Sequence, residues 1–183
     1  MKRYYTKEKR PFILREMKAE DCRNLSEEFR AQGWNKPVSQ YERYLREQEE
    51  GIRQVIVAEV AGKAVGYVTL LPEAGAGPFA GQGIPEICDF NVLILWQRQG
   101  IGSALLDRAE ELAAEVSPVV CLGVGLHHGY GAAQRLYVKR GYNFDGSGVW
   151  YKDAVLPERA YCCNDDDLIL YLSKTLVDSG GKE

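Results

Sequence analysis

The run Gln97-Arg98-Gln99-Gly100-Ile101-Gly102-Ser103 constrains this chain more than any other. It stands between a stretch of β-formers, Ile87 to Ile94, and a segment with helical periodicity. That segment carries Ile101, Leu105, Ala109, Leu112 and Val116 on one stripe, with Asp107, Arg108, Glu110, Glu111 and Glu115 elsewhere around the helix. Strand, glycine loop and helix in this order present bare backbone N–H groups to an anion. The glycines let a ligand come close, and the first-turn N–H groups have no partner within the helix. No acidic side chain stands in the first turn, since Asp107 is the first one. The positive end of the helix dipole is therefore left for an outside negative charge, with Arg98 and the Ser103 hydroxyl beside it. These residues predict a site for a phosphorylated cofactor.

Two common phosphate loops do not fit. The P-loop pattern G-x-x-x-x-G-K-[ST] is absent from the chain. The dinucleotide pattern G-x-G-x-x-G finds Gly100 and Gly102, but Leu105 takes the third glycine's place, and the loop lies mid-chain rather than in a first βαβ unit. An NAD-dependent enzyme is disfavoured on that ground.

A third pattern fits. Gln97 to Gly102 resembles the [QR]-x-x-G-x-[GA] loop of the GCN5-related N-acetyltransferases, which bind the pyrophosphate of acetyl-coenzyme A. Val92-Leu93-Ile94 sits where that family has the strand end that binds the pantetheine arm. Downstream, Ala133-Gln134-Arg135-Leu136-Tyr137-Val138-Lys139-Arg140-Gly141-Tyr142 resembles the family's A-x-x-L-Y-x-K-x-G-[FY] helix. The resemblance covers Phe12 to Leu176. It implies a mixed α/β fold with a mostly antiparallel central sheet and helices on both faces. It also implies acetyl-coenzyme A as co-substrate and no metal. Cofactor contacts are implied at Val92, Leu93, Ile94, Gln97, Arg98, Gln99, Gly100, Ile101, Gly102, Ser103, Tyr130 and Ala133. The chain departs from the family at Ile94, often Pro, at Arg98, often Gly, and at Tyr130, often Asn. The last change removes an amide that commonly contacts the cofactor or its water.

Length and composition agree with one domain spanning residues 1–183, with 1–11 as a solvated lead-in and 178–183 as a tail. A chain of 183 residues buries a substantial core. Its 45% hydrophobic and 27% charged residues are ordinary for a globular protein. A net charge of −3 argues against a general nucleic-acid binder and is mildly suited to a cationic substrate. No apolar run is long enough to cross a bilayer, and the basic opening Met1 to Arg10 has no apolar stretch behind it. The five cysteines show no C-x-x-C spacing, which argues against a disulfide scaffold or structural zinc site and fits a reducing cytoplasm. Cys88 and Cys121 read as small buried hydrophobes inside strands.

Along the chain, Phe12–Arg15 predicts a strand and Ala19–Gln32 a helix stopped by Gly33, with Cys22, Leu25 and Phe29 on its stripe. Ser39-Gln40-Tyr41-Glu42 has the form of a capping box opening a helix to about Glu50. Trp34, Tyr41 and Tyr44 suit either the core or the acceptor-binding wall that this region forms in the family. Arg53–Val60 and Ala64–Leu71 predict a hairpin about Ala61-Gly62-Lys63. The glycine-rich segment 72–85 reads as a mobile loop, either a lid over the acceptor or a surface insertion. Glu86–Ile94, Val119–Val124, Val149–Lys152 and Leu168–Ser173 predict strands, and Gly131–Arg140 a helix ended by Gly141. Asp165-Asp166-Asp167 reads as a solvated acidic turn. The C-terminal strands and exposed aromatics allow a homodimer without requiring one.

Acyl transfer from a thioester to an amine sets the chemical demands. A free alkylamine has a pKa near ~10 and must be neutral to attack. The oxyanion needs a donor, and the leaving thiolate departs more readily when protonated. The resemblance implies a backbone N–H near Val92 and Leu93 as the donor, freed by a bulge. It implies Tyr137 as general acid, against the plain alternative of a packed helix residue. For the base, Glu86 and Asp89 compete, with water as a third choice. Strand alternation puts Glu86, Cys88 and Phe90 on one face and Ile87, Asp89 and Asn91 on the other. Asp89-x-Asn91 is a polar intrusion into an apolar run and needs partners; binding a substrate ammonium is an alternative role for Asp89. His127-His128 follow a strand and read as a loop feature or a proton relay. The resemblance therefore implies an N-acetyltransferase acting on a primary amine of a small molecule. A non-catalytic coenzyme A sensor and a protein or peptide N-acetyltransferase stand as alternatives.

Overall fold

The computed structural model describes residues 3–176. The 178–183 tail lies outside the described residues. Among the described residues the architecture is mixed α/β with mostly antiparallel strand pairing and four α-helices. The described residues group into two compact units, one built from the chain up to Leu71 with Cys88–Leu112, the other from Pro72–Ile87 with the chain from Ala113 onward.

The first unit orders its strands β1-β2-β3-β4-β5. They are β1 (Arg3–Tyr5), β2 (Pro11–Glu16), β3 (Gln54–Val60), β4 (Lys63–Leu71) and β5 (Glu86–Val92), whose residues from Cys88 belong here. The opening segment, expected as a lead-in, thus supplies a strand paired antiparallel with β2. The β3–β4 hairpin turns at Ala61 and Gly62 with φ of 48° and 81°, the left-handed pair that matches strand twist in a tight hairpin.

Helix α1 (Ala19–Ala31) buries Cys22, Leu25 and Phe29 as their spacing predicts, and Gly33 with φ 86° ends the segment. Its start is fixed by Asp21, whose carboxylate accepts the Lys18 backbone N–H at 2.8 Å and both terminal guanidinium nitrogens of Arg15. Helix α2 (Val38–Glu49) corrects the capping expectation. It opens after Pro37, Ser39 is already its second residue, and no side chain caps it. Pro37 holds φ at −69°, so the chain enters the helix without a hydroxyl cap. Tyr41 and Tyr44 are buried, and the Tyr41 ring meets Tyr67 of β4 edge-on at 5.4 Å.

Helix α3 (Ile101–Ala114) buries Ile101, Leu105 and Ala109. Two expectations fail at its far end. Val116 lies beyond the helix and is 71% exposed, because the chain turns there before Pro118. Glu110, expected outside, is only 8% exposed.

The second unit orders its strands β5-β6-β9-β7-β8. They are β6 (Val119–Gly125), β7 (Asn143–Tyr151), β8 (Ala154–Val155) and β9 (Leu168–Thr175), with α4 (Gly131–Lys139). The opening of β5 runs parallel to β6, with Glu86 opposite Cys121 and Ile87 opposite Leu122. Strand β7 starts six residues earlier than the expected Val149, at Asn143. Gly146 and Gly148 hide it in the sequence: both have left-handed φ, and they fall where its register against β9 shifts between Phe144 and Val149. The 72–85 segment, expected as a mobile loop, is tied at its base. The Ala74 N–H donates to the Ile84 carbonyl, and the Gly83 N–H to the Glu73 carboxylate. Its short 3₁₀ turn, Gly77–Phe79, sets Phe79 edge-on against Tyr171.

Candidate active site

In the first unit, β5 ends at Val92 and the chain reaches α3 through a 3₁₀ turn, Ile94–Trp96, and the 97–100 loop. The loop is fixed from both ends. The Gln97 side-chain amide donates to the Val92 carbonyl at 3.0 Å, and that of Gln99 to the Leu95 carbonyl at 2.9 Å. The Ile94 N–H donates to the Gln32 side chain, and the Lys7 N–H to the Gln99 carbonyl. Arg98 and Gly100 take left-handed φ of 59° and 92°, which turns the chain into the helix. Gly102 packs so closely that a Cβ there would stand 3.0 Å from Phe90 Cζ. Ser103 is exposed, Ile101 is fully buried, and the first turn of α3 holds no acid. The helix N-terminus therefore keeps its first-turn donors and dipole for an outside anion.

The strand end differs from expectation in one respect. The Leu93 N–H donates to the Val65 carbonyl at 2.9 Å, so it is engaged with β4 rather than freed for an oxyanion. The backbone irregularity lies earlier, at Asp89, whose φ is 39°. A non-glycine residue in that region costs of order 1–3 kcal/mol and persists only where its surroundings hold it. It also interrupts the simple alternation expected along β5.

Asp89 is held by five donors. Its Oδ1 accepts from Lys36 Nζ at 2.7 Å and Asn91 Nδ2 at 2.6 Å. Its Oδ2 accepts from Gln40 Nε2 at 2.7 Å, Tyr67 Oη at 2.7 Å and Tyr44 Oη at 3.0 Å. Burial, reinforced by the Asp89 charge, pushes the Tyr44 hydroxyl up to about 12 and holds Tyr67 well above its ordinary value. Both phenols thus stay protonated donors at neutral pH. Lys36, Gln40 and Tyr67 were not among the sequence-based site residues. The signal for them was the unpartnered Asp89-x-Asn91 itself, which required donors without naming them. Trp34 stacks on Phe29, with ring centroids 5.6 Å apart.

In the second unit, Glu86 is half-buried and opposite Cys121. Burial, with a smaller contribution from the Glu86 charge, raises the Cys121 thiol to about 12, so it remains a protonated, inert group. Cys88, of the first unit, is only partly buried, unlike the expectation for it. Tyr137 of α4 is buried with its ring 5.8 Å from Tyr142. Ala133 lies on the same helix. The Tyr130 hydroxyl donates to Asp166 Oδ1 at 2.9 Å, and His127 Nε2 lies 3.0 Å from the same oxygen. His127 Nδ1 accepts the Gly129 N–H, so the ring caps its own turn. Among the described residues no group of three or more His, Cys, Asp or Glu is placed to hold a metal ion. Nor is any described helix long and apolar enough to cross a membrane.

The sequence model of the Acetyltransferase (GNAT) family matches residues 19–142. The chain belongs to that family. No curated protein sequence matches it. Among solved structures, it is similar to Ard1 from Thermoplasma volcanium, with 21% identity and a TM-score of 0.65, over 91% of this chain and 99% of that one. It is also similar to yncA, a putative acetyltransferase from Salmonella typhimurium with its cofactor acetyl-CoA, with 18% identity and a TM-score of 0.64, over 94% of this chain and 98% of that one. An aminoglycoside 6'-N-acetyltransferase complexed with coenzyme A is similar at 16% identity and a TM-score of 0.64, over 92% of this chain and 99% of that one.

Proposed function

We propose that this acetyltransferase moves the acetyl group of acetyl-coenzyme A to a primary amine of a small molecule, by direct attack in a ternary complex. The observation that carries the reading is the 97–103 loop. Its left-handed Gly100, close-packed Gly102 and acid-free helix N-terminus form the kind of backbone cradle a pyrophosphate requires. Two of the similar structures are named as holding acetyl-CoA or coenzyme A. Gln97, Arg98, Gln99, Gly100, Ile101, Gly102 and Ser103 would hold the pyrophosphate, and Val92 and Ile94 the pantetheine arm. Tyr130 and Ala133 are the further contacts the family pattern suggests. Bound acetyl-coenzyme A supplies an activated acetyl thioester.

Tyr137 is assigned as the acid that protonates the departing thiolate. Glu86 is assigned as the base, directly or through water. Asp89 is a poorer base, because five donors already engage its two oxygens and one of them is cationic. The cysteine spacing, with no C-x-x-C pair, supports a reducing compartment such as the cytoplasm.

The test is release of free thiol from acetyl-coenzyme A against a panel of small amines and lysine peptides. Release that depends on a small amine supports the proposal. Release only with peptides moves the assignment to a protein acceptor. Tight binding of acetyl-coenzyme A with no release across the panel favours a sensor, and no binding overturns the reading.

A further inference from the structure

Asp89 carries a question that the transfer reaction does not answer. Four neutral groups, from Gln40, Tyr44, Tyr67 and Asn91, already fix its carboxylate in place. The fifth partner, the Lys36 ammonium, adds charge rather than orientation. Its Nζ lies 2.7 Å from Oδ1 and 5.8 Å from the centre of the Tyr67 ring. Carboxylate, aromatic face and neutral donors together are the elements that recognise an alkylammonium. The Lys36 side chain is itself a butylammonium.

Lys36 differs from the other four in where it stands. It comes from the segment between α1 and α2, not from a strand or helix. The side chains of Lys36 and Asp89 are each 18% exposed, so the pair is covered but not sealed. The backbone around Lys36 is tied separately: its carbonyl accepts the Ser26 hydroxyl at 2.8 Å, and its N–H reaches the Trp34 carbonyl at 3.1 Å. The side chain can leave Asp89 without undoing the segment. Asp89, meanwhile, is held in a strained backbone conformation, as residues at ligand sites often are.

We propose that the Asp89 cage is a subsite for an ammonium group of the acceptor, and that Lys36 is an internal stand-in which that group displaces. This rests on the amine-acetyltransferase reading and narrows its substrate class. A carboxylate partner stabilises the charged form of an amine, whereas the attacking amine must be neutral. The cage therefore suits a second, non-reacting ammonium, and the acceptor is a diamine or polyamine rather than a monoamine.

The test is calorimetric titration in the absence of acetyl-coenzyme A, with diaminopentane and pentylamine as probes, on the wild type and on Lys36→Ala, Lys36→Met and Asp89→Asn. Removing an internal competitor raises the apparent affinity by the reciprocal of the fraction of sites it left free. Lys36→Ala should bind both probes about tenfold or more tighter than the wild type. Lys36→Met, which fills the space without charge, should not. Asp89→Asn should bind neither. In the thiol-release assay the wild type should show a lower KM for diaminopentane than for pentylamine, and Asp89→Asn should lose that preference with a smaller change in kcat.

Equal probe affinity in the wild type and Lys36→Ala would overturn the proposal, as would undiminished binding in Asp89→Asn. Should the variants fail to fold, the wild type alone decides, since equal KM for the two probes also overturns it. Because the titration needs no acetyl-coenzyme A, a chain that binds the amines but transfers nothing would sink the transferase reading and leave the subsite standing.

Discussion

The side-chain amide of Gln97 donates to the main-chain carbonyl of Val92 at 3.0 Å, joining the end of β5 to the loop five residues on. This hydrogen bond ties the end of the strand to the loop proposed to hold the pyrophosphate. Gln97→Ala removes it and leaves the Val92 carbonyl to find water. The hydrogen bond itself is worth about 1 kcal/mol, so the variant should fold. Its loop should be less well ordered, and acetyl-coenzyme A should bind roughly tenfold more weakly by calorimetry. Unchanged affinity would show that the loop needs no such clamp.

Tyr137→Phe tests the acid. Positioned acids contribute about 10²–10⁴-fold, so kcat should fall within that range while the Kd for acetyl-coenzyme A stays within about twofold. Tyr137 is buried on α4 beside Tyr142, so a melting curve must accompany the kinetics. An active variant with wild-type turnover assigns Tyr137 to packing alone.

Glu86→Gln tests the base. The substitution keeps shape and burial but removes proton affinity. If Glu86 takes the amine proton, the variant should lose about 10²-fold or more in kcat near neutral pH. It should regain activity toward high pH, where the amine deprotonates unaided. A profile that overlays the wild type means solvent does the work.

Sequence reasoning reached local features and stopped at those that depend on distant partners. The 97–103 loop was legible because its chemistry is contiguous: glycines, a missing acid and a following apolar stripe are all local signals. Likewise the stripe of Cys22, Leu25 and Phe29 needs only a 3.6-residue period. Ser39 misled because a cap motif does not announce its register, and Pro37 already set the helix entry. Strand β7 reads short in the sequence because glycines that weaken a strand pattern also mark a bulge. The Asp89 cage was half visible. Its need for partners showed in the sequence, but Lys36 of a loop, Gln40 and Tyr44 of α2 and Tyr67 of β4 are gathered only by tertiary structure. The left-handed φ of Asp89 interrupts a run that reads in the sequence as a plain strand.

Gly77 and Gly81 form a matched pair for testing the tethered 72–85 segment. Both have left-handed φ, at 73° and 72°. A Cβ on Gly77 would collide with the Tyr171 ring, whereas one on Gly81 meets nothing within 4 Å. Gly81→Ala should therefore cost only the backbone strain, about 1 kcal/mol. Gly77→Ala adds the clash and should cost on the order of 2–3 kcal/mol or more. Melting curves that coincide for the two variants would mean Tyr171 yields freely and the segment is not seated against it.

The buried phenols around Asp89 predict a loss of stability at alkaline pH. Tyr44 is raised to about 12 in the folded protein by burial and then by the Asp89 charge, against an ordinary value of 10.0. From pH 10 upward the unfolded chain releases this proton while the folded chain keeps it. The unfolded state then binds fewer protons, so stability falls as pH rises. The contribution is full below pH 10 and is lost progressively until about pH 12, on the order of a few kcal/mol from Tyr44. Tyr67, held well above its ordinary value by burial, adds to the loss in the same direction. Denaturant titrations from pH 8 to 11 should show stability declining beyond about 10, together with late tyrosinate absorbance in the folded state. Tyr44→Phe should start lower at neutral pH by about 1 kcal/mol, having lost a donor to Asp89. Its decline with pH should be shallower, since one of the groups that titrates differently in the two states is gone. Parallel declines in the two proteins would show that the Tyr44 hydroxyl ionises in the folded state as readily as in water.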